Sequence, residues 1–298
     1  MVRQYKIHTN LDGTDDKIWD VTNGKVRFYQ PSNLGLQSTN NIWQSNGIGV
    51  MGTRSINQPQ IEFKLETFGE SLEENYQLMK DFVNDILSKK FVTLEYQTEI
   101  FQVYADLALA DVTKTEGYGK NGTFSEKITF DIITKWYTYE NLTFDMIKNG
   151  KVIAGKSKIY GGTAPGSYKY VKGVSYTYYG ETNIERLGRW DIKDEIFSFM
   201  GILYPQLPKT PTGVRFLDDI GNEYTAIVFK TEELQDYILI NTDVNDETYQ
   251  GWKGTTALNL FPVMDFERYR TRIIEKGQME LINLSKAEFK VKRKADFV

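Results

Sequence analysis

The sequence predicts a mainly β protein built as two domains, and three observations carry that prediction. Only one stretch of the 298 residues, 69–90, has the pattern of a long helix. Most of the remainder falls into short alternating runs separated by turn residues, the mark of half-buried strands. From Phe197 onward those runs recur at the spacing of an all-β sandwich. A chain of this length lies near the size at which a single core stops growing, which favours two domains. Forty per cent apolar and 14% aromatic residues, led by 19 Tyr and 17 Phe, are ample for two cores and suit strands.

Taken in order, residues 18–22 and 25–29 alternate around Asn23-Gly24, which predicts a hairpin with a type I′ turn. Residues 31–59 change character: Asn, Ser and Gly dominate, which predicts a long loop of a kind that is usually functional. Ile42, Trp43, Ile48, Val50 and Met51 lie within it, more apolar than a solvated linker needs. Two accounts fit equally: a surface loop pinned by its own tryptophan, or a segment lying on a neighbouring subunit. The second makes Trp43, Ile48 and Met51 candidate oligomer-interface residues. Residues 61–66 alternate and lead into the helix, where Ser71 and Glu74 have the spacing of a reciprocal N-cap. Leu72, Tyr76, Met79, Val83 and Ile86 form its expected apolar stripe, and Lys89-Lys90 complement the dipole at its end. Strands are expected over 91–96, 100–110 and 123–136, with 117–122 as a turn. The first domain, 1–136, is thus an antiparallel sheet with one packed helix.

The second domain, 137–298, opens on a different composition. Seven glycines from Gly150 to Gly180 punctuate runs rich in Tyr and Lys, including Tyr168, Tyr170, Tyr176, Tyr178 and Tyr179, with Trp190 beyond. Tyrosine beside glycine suits a recognition surface, although half-buried cross-strand pairs explain the same composition. Strands follow over 197–204, 214–217, 224–229, 237–241, 257–261, 270–275, 279–284 and 287–292.

Composition excludes much chemistry. With no cysteine there is no disulfide, thiolate nucleophile or Cys-ligated zinc. With one histidine, His8, there is no two-histidine metal site and no Ser-His-Asp triad beyond the first strand. His8 is expected to be a strand residue with one hydrogen bond. The G-x-G-x-x-G spacing at 47–52 has no helix after it, and 243–247 echoes a calcium loop without its turn glycine, so a polar turn is expected there. Two carboxylates suffice for glycoside hydrolysis, but nothing nominates a pair among 40 acids. Lys286, Lys290, Lys292, Arg293 and Lys294 are expected on a solvated edge strand. A net charge of −4 gives no sign of a specific nucleic-acid partner. No apolar run is long enough to span a bilayer, and the first residues lack the apolar core of a signal peptide, so synthesis in a cytoplasm is expected. No cofactor, metal or catalytic residue is expected.

The stretches Thr129-Phe130-Asp131-Ile132-Ile133-Thr134-Lys135-Trp136-Tyr137, Ser175-Tyr176-Thr177-Tyr178-Tyr179-Gly180 and Phe289-Lys290-Val291-Lys292-Arg293-Lys294-Ala295-Asp296-Phe297-Val298 carry a resemblance. With the order of the domains, they resemble the distal tail protein family (Dit) of siphophages, lactococcal phage type, over the full length. The resemblance implies a homo-hexameric ring at the distal tail end, in the baseplate of the virion. Its N-terminal "belt" domains would surround a channel for DNA, and a galectin-like β-sandwich would face outward. It further implies contacts to tail tube protein and tail-tip protein. An arm-like extension, for which 145–200 has room, would hold receptor-binding protein trimers through Tyr168, Tyr170, Tyr176, Tyr178, Tyr179 and Trp190. The family brings no catalytic residues. A carbohydrate-binding or carbohydrate-cleaving β-sandwich is the alternative, weakened because His8 lies outside the sandwich.

Overall fold

The computed structural model describes residues 3–35, 37–57, 60–114, 125–148, 151–153 and 189–295. They form two compact units, one running to Thr138 and regained at Ala295, the other covering Tyr139–Lys294.

The first unit contains β1 (Gln4–His8), β2 (Ile18–Asp20), β3 (Val26–Ser32), β4 (Gln37–Ser45), β5 (Ile48–Asn57), β6 (Ile61–Thr67), helix α1 (Leu72–Leu87), β7 (Val92–Gln97), β8 (Gln102–Thr113) and β9 (Ser125–Ile132). An antiparallel sheet runs in the order β2-β1-β7-β8-β9-β6-β3. Its two ends approach each other where Phe28 N–H donates to the Val21 carbonyl at 2.7 Å. Strand alternation sets the inward face: in β6, Ile61, Phe63, Leu65 and Thr67 are buried and the residues between them half-buried. Ile61, Phe63 and Leu65 join Ile7, Phe28, Leu94, Leu107 and Phe130 in one core.

Helix α1 lies on that core. Ser71 caps it, its hydroxyl accepting from Glu74 N–H at 3.1 Å, while the Glu74 carboxylate accepts from Glu70 N–H at 2.7 Å, one residue earlier than expected. Asn75, Phe82 and Ile86 are buried and Met79 and Val83 pack against the core, so the expected stripe holds at Met79, Val83 and Ile86 and fails at its first two members. Leu72 and Tyr76 are 53% and 60% exposed. The cause is non-local. The Asn75 amide must face inward to accept from Gly69 N–H at 2.7 Å and donate to Ser71 O at 3.0 Å. Phe82 meets Trp19 and Phe28 edge-on at 5.2 and 5.8 Å. Ser88 is the C-cap, which leaves Lys89 and Lys90 beyond the helix.

The expected hairpin at Asn23-Gly24 does not form. The Asp20 carboxylate accepts from Thr22 and Asn23 N–H at 3.0 and 2.9 Å, and Gly24 N–H donates to Asp20 O. Those bonds build a wider turn, and β2 pairs with β1. Ala295 closes this unit, its N–H donating to Trp136 O at 2.8 Å.

The second unit follows through β10 (Tyr137–Lys148), β11 (Lys151–Ile153), β12 (Arg189–Ile192), β13 (Ile196–Pro205), β14 (Thr212–Leu217), β15 (Glu223–Phe229), β16 (Tyr237–Asn241), β17 (Thr248–Lys253), β18 (Thr256–Asn259), β19 (Gly277–Ile282) and β20 (Leu284–Lys294). One sheet runs β18-β17-β16-β13-β20-β10 and the other β12-β19-β14-β15. Phe199, Phe216, Phe229, Ile238, Leu281 and Phe289 are among the buried side chains of the sandwich core. The strand expected at 270–275 is an irregular segment with a single bridge, Ile196 to Ile274. β17 was not expected, because Gly251 interrupts its alternation; there the Gln235 side chain lies so close that a Cβ would sit 2.8 Å from its Oε1. The basic strand β20 is not an edge. It lies between β13 and β10, and Lys292, 4% exposed, donates to Asp243 Oδ2 at 2.8 Å. Asp243 Oδ1 also accepts from Asn245 N–H at 3.0 Å, so 243–247 is the polar turn expected.

Candidate functional site

The stretch expected as a loop is a long two-stranded ribbon. β4 and β5 pair with each other in a sheet of their own, Ser45 opposite Ile48. Asn46 (φ 50°) and Gly47 (φ 79°) supply the two left-handed residues of a type I′ turn. Register sets Trp43 across from Val50 and Ile42 across from Met51 on the opposite face. Their exposure runs from 49% for Met51 to 71% for Ile48, with Trp43 at 69%. Between residues 37 and 57 Arg54 is the one charged residue, and its guanidinium donates to Asn40 Oδ1 at 2.9 Å. A ribbon with apolar side chains on both faces and no third strand among the described residues is marginal in water by itself. Trp43 and Ile48 thus share one face of the ribbon with Val50, while Met51 lies on the other face with Ile42.

A second apolar surface lies at the start of α1, where Phe68, Leu72 and Tyr76 are all exposed. Arg27 sits 4.6 Å above the Phe68 ring. The sequence did not single this surface out, because 3–4 spacing assigned Leu72 and Tyr76 to the core. The signal that distinguishes them is the demand of Asn75 for the buried face.

His8 makes two hydrogen bonds where one was expected. Its Nδ1 lies 2.7 Å from Asp16 Oδ2 and its Nε2 2.9 Å from Glu95 Oε2, and Lys6 Nζ reaches Glu95 Oε1 at 2.8 Å. Burial pushes the Glu95 carboxyl up, but the hydrogen bonds from Lys6 and His8 outweigh it and hold the group below the ordinary carboxylate range. Asp16 and Glu95 engage opposite ring nitrogens, so the cluster ties β1 to β7 and the 10–16 turn. Among the described residues no group of three or more His, Asp or Glu side chains is arranged to hold a metal ion.

In the second unit, Trp190 is half-buried against the sandwich core. Tyr168, Tyr170, Tyr176, Tyr178 and Tyr179 lie outside the described residues. The outer face of the β16-β13-β20 sheet carries a groove of about 540 Å³ with Met200, Ile202 and Leu239 as apolar lining and Asn141, Asn241 and Lys290 among its polar groups.

Two family models cover the chain: "Distal tail protein, N-terminal domain" matches residues 4–133, and "Dit, C-terminal domain" matches residues 135–298. The chain is 94% identical to the distal tail protein of Lactococcus phage p2 and 92% identical to that of Lactococcus phage SK1, in each case over all of both chains. Among solved structures it matches, over all of both chains, one from the phage P2 baseplate in its activated conformation with Ca, at 94% identity and a TM-score of 0.79. It also matches the Dit protein of SPP1 at 9% identity and a TM-score of 0.52 over 99% of each chain, a likeness of fold alone.

Proposed function

The chain belongs to the distal tail protein family, and from that premise we propose that it is the hub of a phage baseplate. As a hub it assembles into a homo-hexameric ring at the distal end of the tail. The ring joins tail tube protein, tail-tip protein and receptor-binding proteins for host adsorption, and it does so without catalysis. The observation that carries the ring is the ribbon with Arg54 as its one charge and Trp43, Ile48 and Met51 exposed. A rotational ring needs two different surfaces on each copy, one to give and one to receive. The first unit offers two, the ribbon and the Phe68, Leu72 and Tyr76 surface. The relatives' distal tail and baseplate names support the location in the virion. Residues 154–188 serve as the arm that grips receptor-binding protein, through Tyr168, Tyr170, Tyr176, Tyr178 and Tyr179, whereas the 189–200 end of the expected extension, Trp190 included, belongs to strands β12 and β13 and packs on the sandwich core.

Mass photometry of the purified full chain tests the ring directly. Particles of six chains are expected, and a monomer at micromolar concentration refutes it. Replacing 154–188 with a short Gly/Ser linker is expected to leave rings intact and abolish binding of receptor-binding protein; binding that persists removes the arm.

A further inference from the structure

We propose that β18 is a docking edge, which takes an extended segment of another baseplate polypeptide as an added strand of the sandwich. The proposal rests on the hub function for the identity of the partner, and on backbone geometry for everything else. β18 is the last strand of its sheet, with β17 as its one neighbour among the described residues. Its register pairs Trp252 with Ala257, Gly251 with Leu258 and Gln250 with Asn259.

Hydrogen-bond direction follows from two observed bonds. Trp252 O accepts from Asp236 N–H at 2.7 Å, on the side away from β18, and Leu260 N–H donates to Tyr249 O at 2.9 Å. Bonded pairs therefore fall at 249/260 and 251/258, and antiparallel alternation leaves the N–H and C=O of Ala257 and Asn259 pointing out of the sheet.

Natural edges are usually blunted by charge, proline or a bulge. This one is not: no charge occurs from Gly254 to Met264, and all four residues of β18 are exposed. Beside it lie Leu258, Phe261 and Phe266, 45–49% exposed, with the two phenylalanine rings edge-on at 5.0 Å. An added strand satisfies the free backbone groups and covers those side chains with its own alternate residues, so the partner segment is extended, uncharged and apolar at every second position. Four residues are too few to hold two copies of the chain together alone. They suffice to set register for a partner tethered elsewhere in the same assembly, where effective concentration is high.

The test is amide-resolved hydrogen exchange on the full chain, alone and after assembly with purified tail-tip protein and receptor-binding protein. Ala257 and Asn259 amides are expected to exchange freely in the chain alone and at least ~10-fold more slowly in the assembly, while Leu258 stays slow in both. Ala257→Pro removes an N–H that β17 does not use. It is expected to preserve melting and rings and to abolish the slowing of Asn259 exchange on assembly, while the partner stays bound through its other contacts; Leu258→Glu, at an exposed side chain, is the second variant should the first fail to fold. Loss of rings in the unmodified chain sinks the hub function instead, so the two failures are distinguishable. The docking edge is overturned if exchange at 257 and 259 is unchanged by assembly, or if both variants keep the parent's slowing of Asn259 exchange. Protection in the chain alone overturns it too, by assigning the edge to a second copy when concentration-dependent and to this chain's own residues when not.

Discussion

Truncating Trp43 to alanine is expected to break the ring while sparing the fold. The side chain is 69% exposed in the single chain, so removing it costs the folded unit no more than a surface substitution, within ~0.5 kcal/mol. A tryptophan presents roughly 250 Å², and the exposed share is then about 170 Å². At ~25 cal/mol per Å², covering it against a neighbouring copy contributes up to ~4 kcal/mol. Interface losses on truncation to alanine start near ~2 kcal/mol for a residue of this kind. With ~1.4 kcal/mol per tenfold, the concentration at which rings dissociate is expected to rise between ~30-fold and ~700-fold. Mass photometry across a dilution series reads that midpoint, and differential scanning fluorimetry reads the fold. A midpoint displaced less than threefold refutes the interface, and so does a melting loss as large as the assembly loss, since Trp43 would then be supporting its own unit.

Three further outcomes concern stability. Lys292→Met leaves the Asp243 carboxylate buried without its ammonium, and is expected to cost ~3 kcal/mol or more by chemical denaturation. Adding Asp243→Leu to it is expected to restore most of that loss; no recovery refutes the buried-charge account. Tyr224 has a buried hydroxyl without a hydrogen-bond partner among the described residues, and burial followed by the charge of Glu275 pushes its pKa up to about 12. Tyr224→Phe is therefore expected to stabilise the second unit by ~1 kcal/mol, and a destabilised melt refutes it. Glu95 titrates below its ordinary range in the folded chain, so the stability it confers is present above the unfolded carboxylate value, ~4.3, and is lost as pH falls toward the lower folded value. A Glu95→Gln chain is expected to show a flatter decline of melting temperature below pH ~4.5 than the parent, and parallel declines count against the cluster.

Local signals made the helix with its Ser71 cap and most sandwich strands legible, and failed where a distant group decided. Among the described residues of the first unit, two Asn-Gly pairs compete for hairpins. The first loses because the Asp20 carboxylate takes the neighbouring amides, and the second wins because two long strands of nearly matching length flank it. The phase of α1 was hidden because Leu72 and Tyr76 fit the apolar period as well as Phe82 does, and the Asn75 amide with Trp19 and Phe28 decides between them. β17 was hidden because the residue that accommodates Gly251 is Gln235, on a different segment. Among the candidate interface residues, Trp43, Ile48 and Met51 were legible as excess apolarity in polar surroundings. The edge of β18 was not, since which strand ends a sheet is a property of topology alone.

The return of Ala295 to the first unit has a consequence for how such chains diversify. Tyr139–Lys294 is spliced between two segments of one folded body, so a single exchange at two junctions replaces the whole of it. Recombination that swaps this cassette leaves β1 to β9 and the Trp136 carbonyl that receives Ala295 untouched. The inserted unit is then free to change with each new partner, on a lineage separate from that of its host.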